Sequence, residues 1–225
     1  MGSKNKLKRF SENLTFKNVI QPERDKIVND NFKFKGNWNK LVFNNNNPIV
    51  VELGCGKGEY SVALAKLNPE INYIGIDIKG ARFWKGAKDA IKNKLDNVIF
   101  LRTQIELIEN IFDKNEVSEI WITFPDPQIK LKREKHRLVN LKFIKIYRNI
   151  LRNGGLVNLK TDSEFLHGYM LGLIRGNDFL ELIYSNNDIY NQSGSPTYVT
   201  EIKTFYELKF LDENKAITYI SFKIN

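Results

Sequence analysis

Five short apolar runs rich in β-branched residues, PIVVEL (48–53), NYIGID (72–77), NVIFL (97–101), EIWITF (119–124) and LVNLKT (156–161), are separated by single stretches of helical spacing. Near-continuous apolar runs of this length suit strands covered on both faces. The intervening stretches predict helices from Glu59, over 81–94, over 104–112 and from Leu141 to Leu151, the last stopped by Asn153-Gly154-Gly155. One helix between successive strands demands crossover connections, which place the strands parallel and the helices on both faces. The tail breaks this alternation: FLELIY (179–184) and AITYISFKI (216–224) read as strands around a short helix at 200–210. The expected fold is α/β and Rossmann-like, with a mostly parallel central sheet and an antiparallel last strand, over residues 41–225. Residues 1–40 show no clear periodicity and mix cations with Phe10, Phe16, Phe32, Phe34 and Trp38, which predicts a basic, partly irregular N-terminal arm.

The turn after the first run, Leu53-Gly54-Cys55-Gly56-Lys57-Gly58, carries three glycines behind an acid, Glu52. Glycine permits positive φ and close approach of a ligand to the backbone, and the helix start behind it supplies free N–H groups. Asp77 ends the second run, where an acid can accept the hydroxyls of a ribose. Together these features predict an adenosine-containing cofactor. The third glycine falls one residue early for a dinucleotide, and Glu52 would repel a pyrophosphate while suiting an ammonium group. S-adenosylmethionine is therefore the expected cofactor, with a nicotinamide dinucleotide as the alternative.

The fourth run leads into FPDPQIKLKREKHR (124–137). Prolines on both sides of Asp126 stiffen the turn and favour extended geometry at Phe124 and Asp126. This acid leaves the same sheet edge as the glycine turn. Lys130, Lys132, Arg133, Lys135 and Arg137 follow, and Lys4, Lys6, Lys8 and Arg9 form a second cluster in a chain of net charge +9. Clustered excess charge points to a polyanion, with nucleic acid first. A single cysteine, Cys55, and two histidines exclude an internal disulfide and are too few for the usual zinc site, so no metal is expected. No apolar run is long enough for a membrane span, and no signal sequence is recognisable, so the expected location is cytoplasmic. Nothing implies an obligatory protein partner.

FPDP with its basic cluster ending in HRL, together with VELGCGKG, KTD (160–162) and TFYE (204–207), resembles the bacterial tRNA (guanine-N7-)-methyltransferase family. The four motifs stand in the family's order from about residue 48 to the end. Gln128 and Gln104 depart from it, standing where the family usually has an aromatic residue and an acid. The resemblance implies a class I methyltransferase fold that methylates the guanosine at position 46 of the tRNA variable loop. It places Glu52, Gly54, Gly56, Gly58, Asp77, Gln104 and Asp126 at the cofactor, with Asp126 also at the proposed catalytic position. It places Lys130, Arg133, Asp162, Thr204 and Glu207 at the nucleotide.

Two other classes compete. One is a class I methyltransferase acting on rRNA, protein or a small molecule. The other is a non-catalytic RNA-binding module, which would have no reason to keep Glu52, Asp77, Asp126 and Asp162 near a polyanion.

Overall fold

The computed structural model describes residues 3–30 and 32–225. Its strands are β1 (Val19–Ile20), β2 (Ile49–Leu53), β3 (Asn72–Ile76), β4 (Val98–Leu101), β5 (Val117–Thr123), β6 (Leu151–Thr161), β7 (Leu180–Asn186) and β8 (Thr218–Ile224). They form one sheet in the order β1-β4-β3-β2-β5-β6-β8-β7. All neighbours from β1 to β6 are parallel, and β8 runs antiparallel to both β6 and β7.

The apolar runs become strands because both of their faces are covered. Val51, Leu53, Ile74, Ile76, Ile120 and Ile122 point into one core, while Val50, Tyr73, Phe100 and Trp121 point into the other. Alternation along a strand sends neighbouring residues to opposite faces, so each run feeds both cores. The first core is covered by α5 (Leu141–Ile150) and α6 (Glu164–Arg175), and the second by α3 (Glu59–Leu67) and α4 (Gly80–Lys92). Two short helices, Thr197–Glu201 and Phe205–Asp212, lie before β8.

Four local readings differ from the structure. Between residues 3 and 40 the described chain carries more regular structure than expected: α1 (Ser3–Asn13) packed on α4, the edge strand β1, and the short α2 (Arg24–Val28), joined by turns and loops that include Trp38, which is fully buried with its indole N–H donating to the Ile111 carbonyl at 3.0 Å. Asn13 and Asn18 tie this segment to the Gly80 and Ala87 carbonyls of α4. The expected helix at 104–112 is a tighter 3₁₀ turn over Ile105–Asn110. Asn153-Gly154-Gly155 does not end α5. The helix stops at Ile150, and these residues bulge within β6, where the register jumps from Val117↔Leu151 to Glu119↔Leu156. Finally, Phe124 is not extended but has φ +48°. Its backbone N–H is held by the Lys160 carbonyl at 2.8 Å, so the pairing of β5 with β6 outweighs the local preference of a residue before proline.

Candidate active site

The chain leaves β2 to build β3 and β4 on one side, then returns to build β5 and β6 on the other. The sheet therefore changes direction between β2 and β5, which pair through Val50↔Glu119, Val51↔Ile120 and Glu52↔Trp121. At such a switch point the loops from the two carboxyl ends diverge and open a crevice. The glycine turn and the proline-bracketed acid are the two loops that leave it.

The glycine turn is fixed from β3. The Gly54 and Cys55 N–H groups both donate to the Ile76 carbonyl, at 2.8 and 3.0 Å. Asp77 accepts from the Gly56 N–H at 3.1 Å and from the Lys79 N–H at 2.7 Å. Gly54, Gly56 and Gly58 all have positive φ, but they serve different ends. A Cβ on Gly58 would lie 2.4 Å from the Phe100 ring, so this glycine exists for helix-to-strand packing. A Cβ on Gly54 would meet only Leu138 Cδ1 at 4.0 Å, and one on Gly56 only the Gly54 carbonyl oxygen at 3.9 Å. Those two leave open space.

The space at Gly54 belongs to a cleft of about 350 Å³ lined by Gly54, Asp77, Ile78, Gln104, His136 and Leu138, among others. A second recess of about 390 Å³ shares Ile78, Thr103 and Gln104 with it. Gln104 is exposed at the junction, its side-chain oxygen accepting from Arg24 Nε at 3.3 Å.

Glu52 lies behind the turn rather than in the cleft. It is buried, and accepts from the Ser61 N–H at 2.9 Å, from the Ser61 hydroxyl and from the Thr123 hydroxyl at 2.7 Å. Burial pushes its carboxyl group up to about 7 against the lowering effect of these donors. It thus joins the start of α3 to the last residue of β5. Cys55 is buried beside it, and burial pushes its thiol well up, which makes it a filler of the turn and not a nucleophile.

The second loop is held by an arginine. Arg137 is only 3% exposed; its Nε donates to the Gln128 carbonyl and its Nη2 to the Ile129 carbonyl, each at 3.1 Å. Its guanidinium lies over the Phe165 and Tyr169 rings, at 4.9 and 4.7 Å, and pairs with Glu134 at 3.4 Å. Of the five cations expected to meet a polyanion, Arg137 therefore turns inward and clamps the loop. Lys130, Lys132, Arg133 and Lys135 remain exposed, with Arg133 Nε donating to the Gln128 side chain at 2.7 Å. Asp126 is exposed at the tip and accepts from the Gln128 N–H at 3.2 Å. Phe124 and Gln128, with φ +48° and +47°, bracket it in unusual backbone.

Asp162 follows β6, half-buried and 3.7 Å from Lys215. Thr204 and Glu207, expected at the nucleotide, point inward instead. They form a reciprocal cap at the start of the helix Phe205–Asp212, and fully buried Glu207 pairs with fully buried Lys160 at 2.6 Å and accepts from the Tyr190 hydroxyl at 2.7 Å. The residues between them face out. Phe205 and Tyr206 are 51% and 47% exposed, the Phe205 N–H donates to Glu59 at 2.8 Å, and the Lys57 ammonium sits 3.3 Å above the Phe205 ring. The TFYE stretch is thereby docked on the glycine turn.

A family model described as "Putative methyltransferase" matches residues 46–220. The chain is 61% identical, over the full length of both, to the tRNA (guanine-N(7)-)-methyltransferase of Christiangramia forsetii. It is 42% identical to that of Bacteroides fragilis, over 97% of this chain and 85% of the relative. The chain belongs to the tRNA (guanine-N7-)-methyltransferase family.

Solved structures share the methyltransferase fold at low identity. The 30S ribosomal A1408 methyltransferase of an uncultured bacterium aligns with TM-score 0.58 at 18% identity, covering 91% of this chain and 95% of that one. The 16S rRNA methyltransferase KamB aligns with TM-score 0.62 at 15% identity, covering 82% and 91%. In this member of the tRNA (guanine-N7-)-methyltransferase family, the structure gathers Gly54, Asp77 and Gln104 around one cleft, with Gly56 bonded to Asp77 outside its lining, and brings Asp126, Lys130 and Arg133 onto the neighbouring loop. Sequence reasoning missed the clamp of Arg137 and the lining position of His136, and within TFYE it singled out the ends, Thr204 and Glu207, where the structure exposes the middle pair, Phe205 and Tyr206. The only available signal for the last was two aromatics inside a polar helix start.

Proposed function

We propose that the protein transfers the methyl group of S-adenosylmethionine to N7 of the guanosine at position 46 in the tRNA variable loop. The observation that carries this reading is the adjacency of the glycine turn and the Asp126 loop on β2 and β5, with exposed cations immediately beyond, in a chain so similar to relatives of that name.

The cleft fits such a cofactor. Its wall is kept open at Gly54, the Asp77 carboxylate is held by the Gly56 and Lys79 N–H groups with lone pairs to spare for ribose hydroxyls, and Ile78, 48% exposed, offers apolar surface beside it. Asp77 and Gln104 would hold the adenosine end. Glu52 would act by shaping the turn, since its oxygens are engaged by Ser61 and Thr123. The bound cofactor supplies an electrophilic methyl group on a sulfonium.

Guanine N7 carries an in-plane lone pair outside the aromatic sextet, so no general base is needed. The protein's task is alignment, together with electrostatic support of positive charge as it moves onto the purine. Asp126, fixed by Gln128 and the flanking prolines, is suited to the second task. Asp162, at the end of β6 and 3.7 Å from Lys215, would accept from the N–H groups of the base. We assign the nucleotide contact of the TFYE stretch to the exposed faces of Phe205 and Tyr206, which can stack on an unpaired base, with Thr204 and Glu207 holding them in place. Lys130 and Arg133 would meet phosphates.

The test is transfer of labelled methyl to unmodified bulk tRNA, followed by nucleoside analysis. The expected product is 7-methylguanosine, with chain cleavage at the modified nucleotide mapping it to position 46, whereas label appearing only in rRNA or protein would assign another specificity. Asp126→Asn is expected to lower kcat by about 10²–10³ with cofactor affinity retained. Unchanged kcat would remove Asp126 from the charge-stabilising role.

A further inference from the structure

A recess of about 660 Å³ opens between the N-terminal helix Ser3–Asn13 and the first half of α4. Four separate elements supply its cations: Lys6 and Arg9 from the N-terminal helix, Lys57 from the glycine turn, Lys79, Arg82 and Lys85 from the start of α4, and Arg102 from the end of β4. Among the described residues no carboxylate lines it. Two acids reach its rim: Glu12 accepts from the Trp84 indole N–H at 2.6 Å, and Glu59 pairs with Lys85 at 3.3 Å, offsetting that one cation and leaving the other six without a carboxylate partner in the recess. Two of the arginines are held flat against aromatic rings, Arg9 over Trp84 at 5.0 Å and Arg102 over Phe10 at 5.1 Å.

Concentrating like charges in one concavity opposes folding unless a counter-charge repays it, and a guanidinium braced on a ring loses little freedom when it binds an anion. The concavity also spans several elements, more than a single small anion would bridge. It shares Ile78, Lys79 and Arg82 with the cleft beside the glycine turn, while His136 and Leu138, at the end of the exposed Lys130–Lys135 cluster, line that cleft on its other side.

We propose that this recess is a second grip for the phosphodiester backbone of the RNA substrate, on the opposite flank of the reaction cleft from the Lys130–Lys135 cluster. The proposal rests on the reading that the substrate is tRNA. A substrate held on both flanks is aligned over the cleft, whereas one held on a single flank can pivot away from it.

The test uses the full chain with Lys6→Gln and Arg9→Gln combined, two residues that line this recess and not the cleft. Affinity for unmodified tRNA is measured across a salt series, alongside steady-state kinetics. The expected result is a roughly tenfold weaker Kd and higher KM, a log–log salt slope shallower by about 2, and unchanged kcat and S-adenosylmethionine affinity. Wild-type Kd and slope in the variant would overturn the proposal. Should the variant lose its fold, photo-cross-linking of thiouridine-substituted tRNA to the wild-type protein decides. Cross-links within residues 5–10 and 79–85 support the second grip, and cross-links confined to 124–137 and 197–207 refute it. Absence of any tRNA binding or methylation by the wild-type protein would instead sink the underlying reading.

Discussion

Glu52 is a carboxyl group that folding takes out of water, and its titration should be visible in stability. In the native chain burial raises it from 4.5 to about 7. The native state therefore holds a proton that the unfolded chain releases between those values, so the stabilising contribution is complete below about 4.5 and is lost as pH rises through 7. The 2.5-unit difference corresponds to about 3 kcal/mol. Denaturant unfolding between pH 4.5 and 7 should show wild-type stability falling by that amount relative to Glu52→Gln, which keeps an acceptor oxygen for Ser61, turns an N–H toward the Thr123 hydroxyl that can accept it, and has no proton to lose. Parallel stability curves for the two proteins would show that Glu52 is already ionised in the folded state. Arg137 makes a separate case at the same scale. Its planar fork reaches two carbonyls at once, which a lysine ammonium does not reproduce. Arg137→Lys is expected to cost about 1–3 kcal/mol of stability by calorimetry and to lower kcat/KM, because the loop bearing Asp126 is released.

Among the elements, the segment before β8 depends on one buried ion pair. Lys160 on β6 is enclosed by Glu207 and by the Val199 and Ile202 carbonyls, at 2.6 and 3.0 Å. Burial pulls the Lys160 ammonium down, while Glu207 opposes that shift. Removing one partner strands the other, so Glu207→Leu or Lys160→Met alone is expected to cost about 3–5 kcal/mol, whereas the two together should recover most of that loss. Equilibrium unfolding of the four proteins of the double-mutant cycle measures the coupling, and additive losses would show that the pair is incidental. This pair also marks where sequence reading stops. KTD and TFYE are legible as motifs, but no local pattern says that Lys160 and Glu207 face each other across 47 residues. The strands were legible for the opposite reason: burial on both faces writes an unbroken apolar run into each. The helix Ser3–Asn13 was not, since its only large apolar residues are Leu7, which is 74% exposed, and Phe10, and its place depends on Asn13 reaching the Gly80 carbonyl. Nor does composition tell which of five neighbouring cations is Arg137, because burial of one guanidinium requires the Phe165 and Tyr169 faces from a distant helix.

For the whole molecule, the sheet order settles which surfaces can act together. Because β2 and β5 are neighbours, the cleft, the acid and the exposed Lys130, Lys132, Arg133 and Lys135 all lie at one edge, so part of the cationic excess of a chain of net charge +9 stands beside the cleft. Polyanion binding at that edge releases counterions, so affinity must fall with salt in proportion to the phosphates neutralised. Four exposed cations alone give a log–log slope of about −3 for single-stranded contacts, and engagement of the second flank steepens it. Binding of S-adenosylmethionine involves no such release and should change little over the same range. Fluorescence titrations of tRNA and of cofactor from low to moderate salt therefore separate the two. A steep tRNA slope beside a flat cofactor response is expected. Equal responses would mean that the excess charge acts only on solubility, and that recognition of the RNA rests on the cleft and the aromatic pair alone.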